Sequence, residues 1–360
     1  MEITELLAFA EKNGASDVHI VSNNAPLLRI HGDIAPLRMG KLTPDEIKHL
    51  IYSIMTEKQR ATFEEDWEID FSVQFGPHSR FRVNAFNTME GPAAALRFIP
   101  TKIQSLDDLK TPPILRQLTY LNSGMVLVTG PTGSGKSTTL AAMVDEINRM
   151  QNKHILTIED PVEFVHHSNE SLVNQREVGK NTKSFARALK SALREDPDVI
   201  LVGEMRDLET ISLALTAAET GHVVFGTLHT SSAAKTVDRI IDVFPADDKD
   251  MVRTMLSGSL RAVVSQRLVK RKDETGRIAV HEILLNTPAV GNLIRDGKIP
   301  QITSIMQVGS RLGMITMKDN AQKLLDEGLI NQEAYNLLIK ETTADDTQPP
   351  QPKKNQEGSF

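Results

Sequence analysis

Apolar residues recur along the first hundred positions with two different periods. Ile3, Leu6, Leu7 and Ala10 repeat at the spacing of one helix face, and Gly14 stands where such a helix would stop. Short apolar segments follow at 18–21 and 27–30, with His31, Gly32 and Asp33 read as a turn. Thr43, Pro44 and Glu46 spell a capped helix start ahead of a stripe of Ile47, Leu50, Ile51, Ile54 and Met55. Alternation with period two then predicts strands over 69–75 and 81–86. In the second of these, Phe81, Val83 and Ala85 share one face, and Arg80, Arg82 and Asn84 share the other. A third strand over 93–99 carries Arg97 on its more polar face. Together these elements predict a small α+β domain over residues 1–99.

Pro100, Pro112 and Pro113 interrupt the periodicity, so residues 100–113 read as a linker. Beyond it the pattern changes. Continuous apolar runs at 125–129, 154–158, 199–202 and 223–228 alternate with amphipathic segments at 137–149, 184–194 and 208–218. Strands of this kind between helices predict an α/β domain with a mostly parallel sheet covered on both faces. From about Met251 the pattern is read as helical, with Thr287, Pro288 and Thr316 marking helix starts. The helix begun at Thr287 has an apolar stripe of Val290, Leu293 and Ile294, and leaves Asn292, Arg295 and Asp296 off it. Gly291 costs such a helix about 1 kcal/mol relative to Ala. The segment is therefore expected to order fully only against a partner. Residues 114–340 form the second domain with its helical C-terminal part, and 341–360, nearly free of apolar residues, predict a disordered tail.

Composition narrows the function. The chain has 360 residues, a net charge of −6 and no cysteine. A uniformly basic nucleic-acid coat, disulfides and thiolate metal sites are thereby excluded. No apolar run approaches the roughly 20 residues of a membrane span, and Glu2 and Glu5 stand where a secretory signal would be basic. A cytoplasmic protein is expected. One Trp and three Tyr leave few stacking platforms for single strands, so no nucleic-acid partner is expected.

The segment Gly130, Pro131, Thr132, Gly133, Ser134, Gly135, Lys136, Ser137 matches G-x-x-x-x-G-K-[ST], directly after an apolar strand and before an amphipathic helix. Its glycines let backbone N–H groups turn inward around phosphate oxygens, and the helix N-terminus adds partial positive charge. Lys136 can reach the β- and γ-phosphates of ATP, and the Ser137 hydroxyl can ligate Mg²⁺. Thr138 completes the nucleotide-binding set. Such a site needs an acid at the end of a second strand, and Glu204 after the run 199–202 supplies it as a candidate Mg²⁺ ligand. Glu159, Asp160 and Glu163 end another apolar strand, where ligands of parallel sheets bind. Glu163 is the candidate for polarising the attacking water, whereas turn and capping chemistry accounts equally well for Glu159 and Asp160. His222 and His229 flank the strand 223–228 at opposite ends, which fits no chelating pair; His229, at the carboxyl end, is placed to sense the γ-phosphate. His166 and His167 are expected at the surface. A strand face with Arg80, Arg82 and Arg97 is usually a solvated one, but in a ring-forming NTPase Arg82 and Arg97 could act as arginine fingers on a neighbour's phosphates.

Several long motifs in order resemble the secretion-type ring ATPases, and among them the branch that retracts type IV pili. They are ITELL at 3–7, GASDVH at 14–19, RFRVNAF at 80–86, the P-loop GPTGSGKSTTLAAM from Gly130, the acidic segment 155–164, GEMRDLETI at 203–211 and ETGHVVFGTLHT at 219–230. The segment 289–296 differs from the family's pattern, with Gly291 in place of Arg and Asp296 in place of Glu. The resemblance implies a PAS-like N-terminal domain, a RecA-like P-loop ATPase domain and a homohexamer. It also implies ATP-driven withdrawal of pilin subunits through an inner-membrane platform protein, with the enzyme at the cytoplasmic face. Rival readings are an accessory retraction ATPase, a pilus-extension or type II secretion ATPase, and a RecA-like DNA motor. A nucleotide-binding regulator and a small-molecule kinase fit less well.

Overall fold

The computed structural model describes residues 2–30, 33–75, 79–100 and 102–347. These fall into two units: residues up to Ile103 together with Glu163–Val165, and the remainder.

In the first unit α1 (Ile3–Lys12) precedes β1 (Asp17–Val21), β2 (Leu27–Ile30) and β3 (Asp33–Pro36); α2 (Pro44–Ser53) and α3 (Glu57–Asp66) precede β4 (Glu68–Phe75), β5 (Ser79–Thr88) and β6 (Gly91–Pro100). The strands form one antiparallel sheet in the order β3-β2-β1-β6-β5-β4. The alternation read from the sequence decides its faces. Val18, Leu96, Val83 and Phe71 lie in register across four strands and are buried with the stripes of α1 and α2. One residue along, the register aligns Arg29, Asp17, Arg97, Arg82 and Ser72 on the opposite face. The helix begun at Thr43 carries the expected capping box. α3 and β3 carry weak signals and were not expected: α3 has little apolar asymmetry, and β3 is exposed along its length. Of the expected turn at 31–33, His31 and Gly32 lie outside the described residues, and Asp33 opens β3.

The second unit opens with α4 (Pro113–Leu118), β7 (Gly124–Thr129), α5 (Lys136–Met150), β8 (His154–Glu159), β9 (Leu172–Glu177), α6 (Phe185–Ala192) and β10 (Val199–Val202). It continues with α7 (Leu208–Glu219), β11 (Val223–Leu228), α8 (Ala233–Asp242), α9 (Lys249–Ser259), β12 (Leu260–Lys270) and β13 (Arg277–Leu285), and ends in α10 (Pro288–Arg295), α11 (Ile302–Val308), α12 (Met317–Asp326) and α13 (Gln332–Thr347). The sheet order is β13-β12-β7-β11-β10-β8-β9, parallel from β12 to β9 with β13 antiparallel at the edge. Met125 and Leu127 pack into one apolar layer with α6 to α9, while Val126 and Val128 pack into the other with Leu140, Met143 and Ile147 of α5. A sheet buried on both faces follows, as its continuous apolar strands predict.

Four expectations change. Residues 260–285, read as helical, are the long strand pair β12 and β13. Ala262, Val263 and Val264 of β12 are a continuous apolar run buried on both faces, which carries neither period. Residues 104–113 are not a free linker, since Leu106 is buried in the second unit's core beside Leu115. Gly291 does not leave α10 awaiting a partner: it is buried, and a Cβ there would stand 3.3 Å from the Ser257 carbonyl of α9, so the missing side chain allows the two helices to meet. Asn292, Arg295 and Asp296 are exposed as expected. Finally, 341–347 continue α13 where a tail was expected, and 348–360 lie outside the described residues.

Burial acts on two histidines. His281 in β13 is fully buried, its backbone N–H donating to Asn320 Oδ1 at 2.8 Å. Burial pushes its imidazole down to about 4. His166 is half-buried where surface exposure was expected, and burial pushes it to about 4 as well. A depressed histidine binds its proton in the unfolded chain first, so the folded state loses stability as pH falls through the unfolded value of 6.5 toward 4. Each such group contributes a slope of about 1.4 kcal/mol per pH unit in that window. Urea titrations of His281→Asn should show the slope between pH 6.5 and 4 reduced by about that amount relative to the parent.

Candidate active site

Strand order assembles the site. At the carboxyl edge of the parallel sheet, β7 leads into the loop 130–135, β11 into His229, β10 into Gly203 and Glu204, and β8 into Asp160. β11 lies between β7 and β10, and neighbouring strands are spaced about 4.8 Å apart. His229 is thus placed between the phosphate loop and the acid, and its ring spans them. Nδ1 lies 3.4 Å from Lys136 Nζ, and Nε2 lies 3.1 Å from Glu204 Oε1. An ammonium can only donate, so Nδ1 accepts, which leaves the ring proton on Nε2 to be donated to Glu204.

The loop itself is a strand–turn–helix hinge. Gly130 has φ +143°, and a Cβ there would stand 2.2 Å from the Gln266 carbonyl oxygen, so neither the backbone angle nor the space admits a side chain. Gly135 is the N-cap of α5, and the first helical bond runs from Thr139 N–H to Gly135 O at 3.0 Å. The N–H groups of Lys136, Ser137 and Thr138 precede that bond and converge at the positive end of the helix, an anion-binding arrangement. Lys136 is 8% exposed. Its ammonium donates to the Gly130 and Pro131 carbonyls at 2.8 and 3.1 Å, which holds it over the loop.

Glu204 is the electrostatic centre. Burial works against its charge, but the Arg206 guanidinium bonded to it, then His229 and Lys136, outweigh that cost and hold its carboxyl below the usual range. Arg206 is raised in turn, foremost by that bond, with Asp160 adding to its field. An ionised carboxylate in the field of Lys136, with the Ser137 hydroxyl in the first turn of α5, is a hard-oxygen donor set of the kind that suits Mg²⁺.

A family model described as type II/IV secretion system protein matches residues 2–336. The chain belongs to that family. It is 56% identical over 333 residues to "Type IV pilus retractation ATPase PilT" of Pseudomonas aeruginosa, covering 92% of this chain and 96% of that protein. It is 59% identical over 309 residues to "Twitching motility protein" of Neisseria gonorrhoeae, covering 86% and 83%. Among solved structures it is similar to the pilus retraction motor PilT with bound ADP, with TM-score 0.87 and 47% identity over 94% of this chain and 97% of that one.

In this family member the second unit brings together Lys136, His229 and Glu204 from the expected set, with Ser137 following Lys136 in the first turn of α5. Glu163 is exposed and belongs with the first unit, as do Arg82 and Arg97. Arg97, 67% exposed, donates from Nε to Asp17 Oδ1 at 2.8 Å, and Arg82 Nε lies 3.7 Å from Asp70. Burial would raise Asp17, but Arg97 and Ser16 bond to it and hold it below its usual range. Glu159 has structural work, accepting the Thr157 hydroxyl at 2.7 Å and the Gln175 amide at 3.2 Å. His222 meets the Ala217 carbonyl at 3.0 Å, at the far end of β11. The sequence reading overlooked Arg206, whose signal was its place two residues after an acid, and Gln266, the amide that backs the loop from within β12.

The close approach at Gly130 is directly testable. Gly130→Ala must displace backbone as well as adopt an unfavourable φ. Gly133→Ala, at φ +78° with nothing within 4 Å of its Cβ, carries only left-handed strain of about 1–2 kcal/mol. Thermal unfolding should therefore show Gly130→Ala as clearly the less stable of the two.

Proposed function

We propose that the protein is an ATP-hydrolysing motor of type IV pilus retraction, working as a homohexamer at the cytoplasmic face of the inner membrane on a membrane platform protein. The observation that carries this reading is the phosphate loop joined through His229 to an ionised Glu204, in a chain 56% identical to a retraction ATPase over 92% of its length. Among the described residues no helix is long and apolar enough to cross a membrane, and the proposed attachment runs through partners.

In this mechanism the loop N–H groups and Lys136 bind the phosphate chain of ATP and gather charge at the transferred phosphoryl group. Ser137 and Glu204 would hold Mg²⁺, which would supply charge neutralisation to the phosphate chain. Glu163 orients the attacking water. His229, bridging Lys136 and Glu204, reports the presence of the γ-phosphate to the acid. Arg82 and Arg97 act in trans on the nucleotide of a neighbouring subunit, offsetting the charge of the leaving phosphate. In this structure Arg82 lies 3.7 Å from Asp70 and Arg97 2.8 Å from Asp17, and the proposed role requires both to exchange these partners for phosphate. Hydrolysis then releases the contacts and moves the pilus machinery.

Lys136→Ala removes a phosphate contact while leaving the apolar layers untouched. Its turnover of ATP should fall by about 10²–10³-fold, the scale of one lost charge-stabilising donor. Introduced in place of the native gene in a piliated host, it should give surplus surface pili and no surface motility. Normal turnover would refute the active-site reading, and lost turnover with normal pilus retraction would refute the cellular role.

A further inference from the structure

A buried amide stands directly behind the phosphate loop. Gln266 of β12 is 1% exposed. Its Oε1 accepts the Thr139 hydroxyl at 2.8 Å, and its Nε2 donates to the Ser134 carbonyl at 2.7 Å. A carbonyl can only accept, so the amide nitrogen must face Ser134, and the orientation of the side chain is fixed by its partners. Its Nε2 also lies 2.8 Å from where a Cβ at Gly135 would stand, and its backbone carbonyl is the neighbour that forbids a side chain at Gly130. The start of the loop, its last turn and the first turn of α5 are all moulded on this one residue of a neighbouring strand.

The bond to Ser134 has a consequence for ligand binding. The Ser134 carbonyl and the Gly135 N–H belong to one planar peptide, and in a trans peptide they point in opposite directions. Drawing the carbonyl back to Gln266 turns the Gly135 N–H the other way, to the side of the peptide opposite that bond. Burying a primary amide is costly unless its groups are bonded. Here its bonds hold a conformation that the glycines alone would leave free.

We propose that Gln266 is a positioning residue for the phosphate chain of the nucleotide: through Ser134 and Thr139 it holds the loop and the first turn of α5 in the form that binds phosphate. The proposal rests on the ATP-hydrolase reading above. Gln266 touches no reacting atom, and its contribution is preorganisation. Without it, the nucleotide must order the loop at the expense of its own affinity.

The test is calorimetric titration of the full-length protein with ADP, beside melting temperatures and ATPase kinetics. Gln266→Met keeps the length of the side chain and removes both bonds; its Kd for ADP and KM for ATP should rise about tenfold or more, with a smaller change in kcat. Thr139→Val, which frees only one end of the amide, should weaken ADP by less, and Thr139→Ser, which keeps the hydroxyl, should bind more tightly than Thr139→Val. The double variant Gln266→Met/Thr139→Val should be no worse than Gln266→Met alone, since the two act as a unit. Unchanged ADP affinity in Gln266→Met overturns the proposal. So does a loss of affinity that appears only in step with a collapse of the melting temperature, because the residue would then serve stability alone. Lys136→Ala separates the two levels: if it too binds ADP normally, the nucleotide site itself is wrong; if it loses ADP while Gln266→Met does not, only the role of Gln266 falls.

Discussion

The order of strands in the parallel sheet is the constraint on which the rest depends. Because β11 runs between β7 and β10, the residue that leaves the end of β11 must lie between the phosphate loop and the acid that leaves β10. His229 is that residue, and its two ring nitrogens reach Lys136 on one side and Glu204 on the other at 3.4 and 3.1 Å. A different order would scatter the same three side chains along the sheet edge at multiples of about 4.8 Å. Hydrophobic burial on both faces keeps the order in place, since each central strand contributes alternate residues to two separate apolar layers.

Charge within that edge is arranged in series. Lys136 is held by two loop carbonyls, His229 passes a hydrogen bond from it to Glu204, and Arg206 closes the row. Each buried or half-buried charge has a partner, and so the cost of desolvation at Glu204 is outweighed and the carboxyl stays ionised. Behind the loop a neutral group, Gln266, performs the complementary task of fixing backbone dipoles. On the sheet of the first unit a second row follows the same logic. Arg97 and Arg82 stand directly opposite one another, an unfavourable pair by itself, and the neighbouring Asp17 and Asp70 offset it.

Much of this was legible in the sequence, for reasons that name themselves. The capped helix begun at Thr43, the alternating strands with Arg82 and Arg97 on one face, and the loop 130–137 between strand and helix all carry local signals that the structure repeats. What escaped was non-local. The run Ala262, Val263, Val264 of β12 is apolar on both faces and shows no period, and with it went the edge pair β12–β13 and the meaning of Gln266. Gly291 looked like a weakness because its reason, the Ser257 carbonyl of α9, lies in another helix. His166 looked exposed because the residues after it, His167, Ser168, Asn169 and Glu170, are polar, while burial comes from the fold.

The central claim is that the phosphate loop, Glu204 and His229 form one metal–nucleotide site. A crystal structure of the protein with a non-hydrolysable ATP analogue and Mn²⁺, located by its anomalous signal, tests this most directly. The phosphate chain is expected against the N–H groups of 133–138 and the manganese peak between Ser137 Oγ and the Glu204 carboxylate, with Arg206 turned away from that acid. A manganese peak elsewhere, with Glu204 still bonded to Arg206 and the triphosphate lying outside the loop, would contradict it.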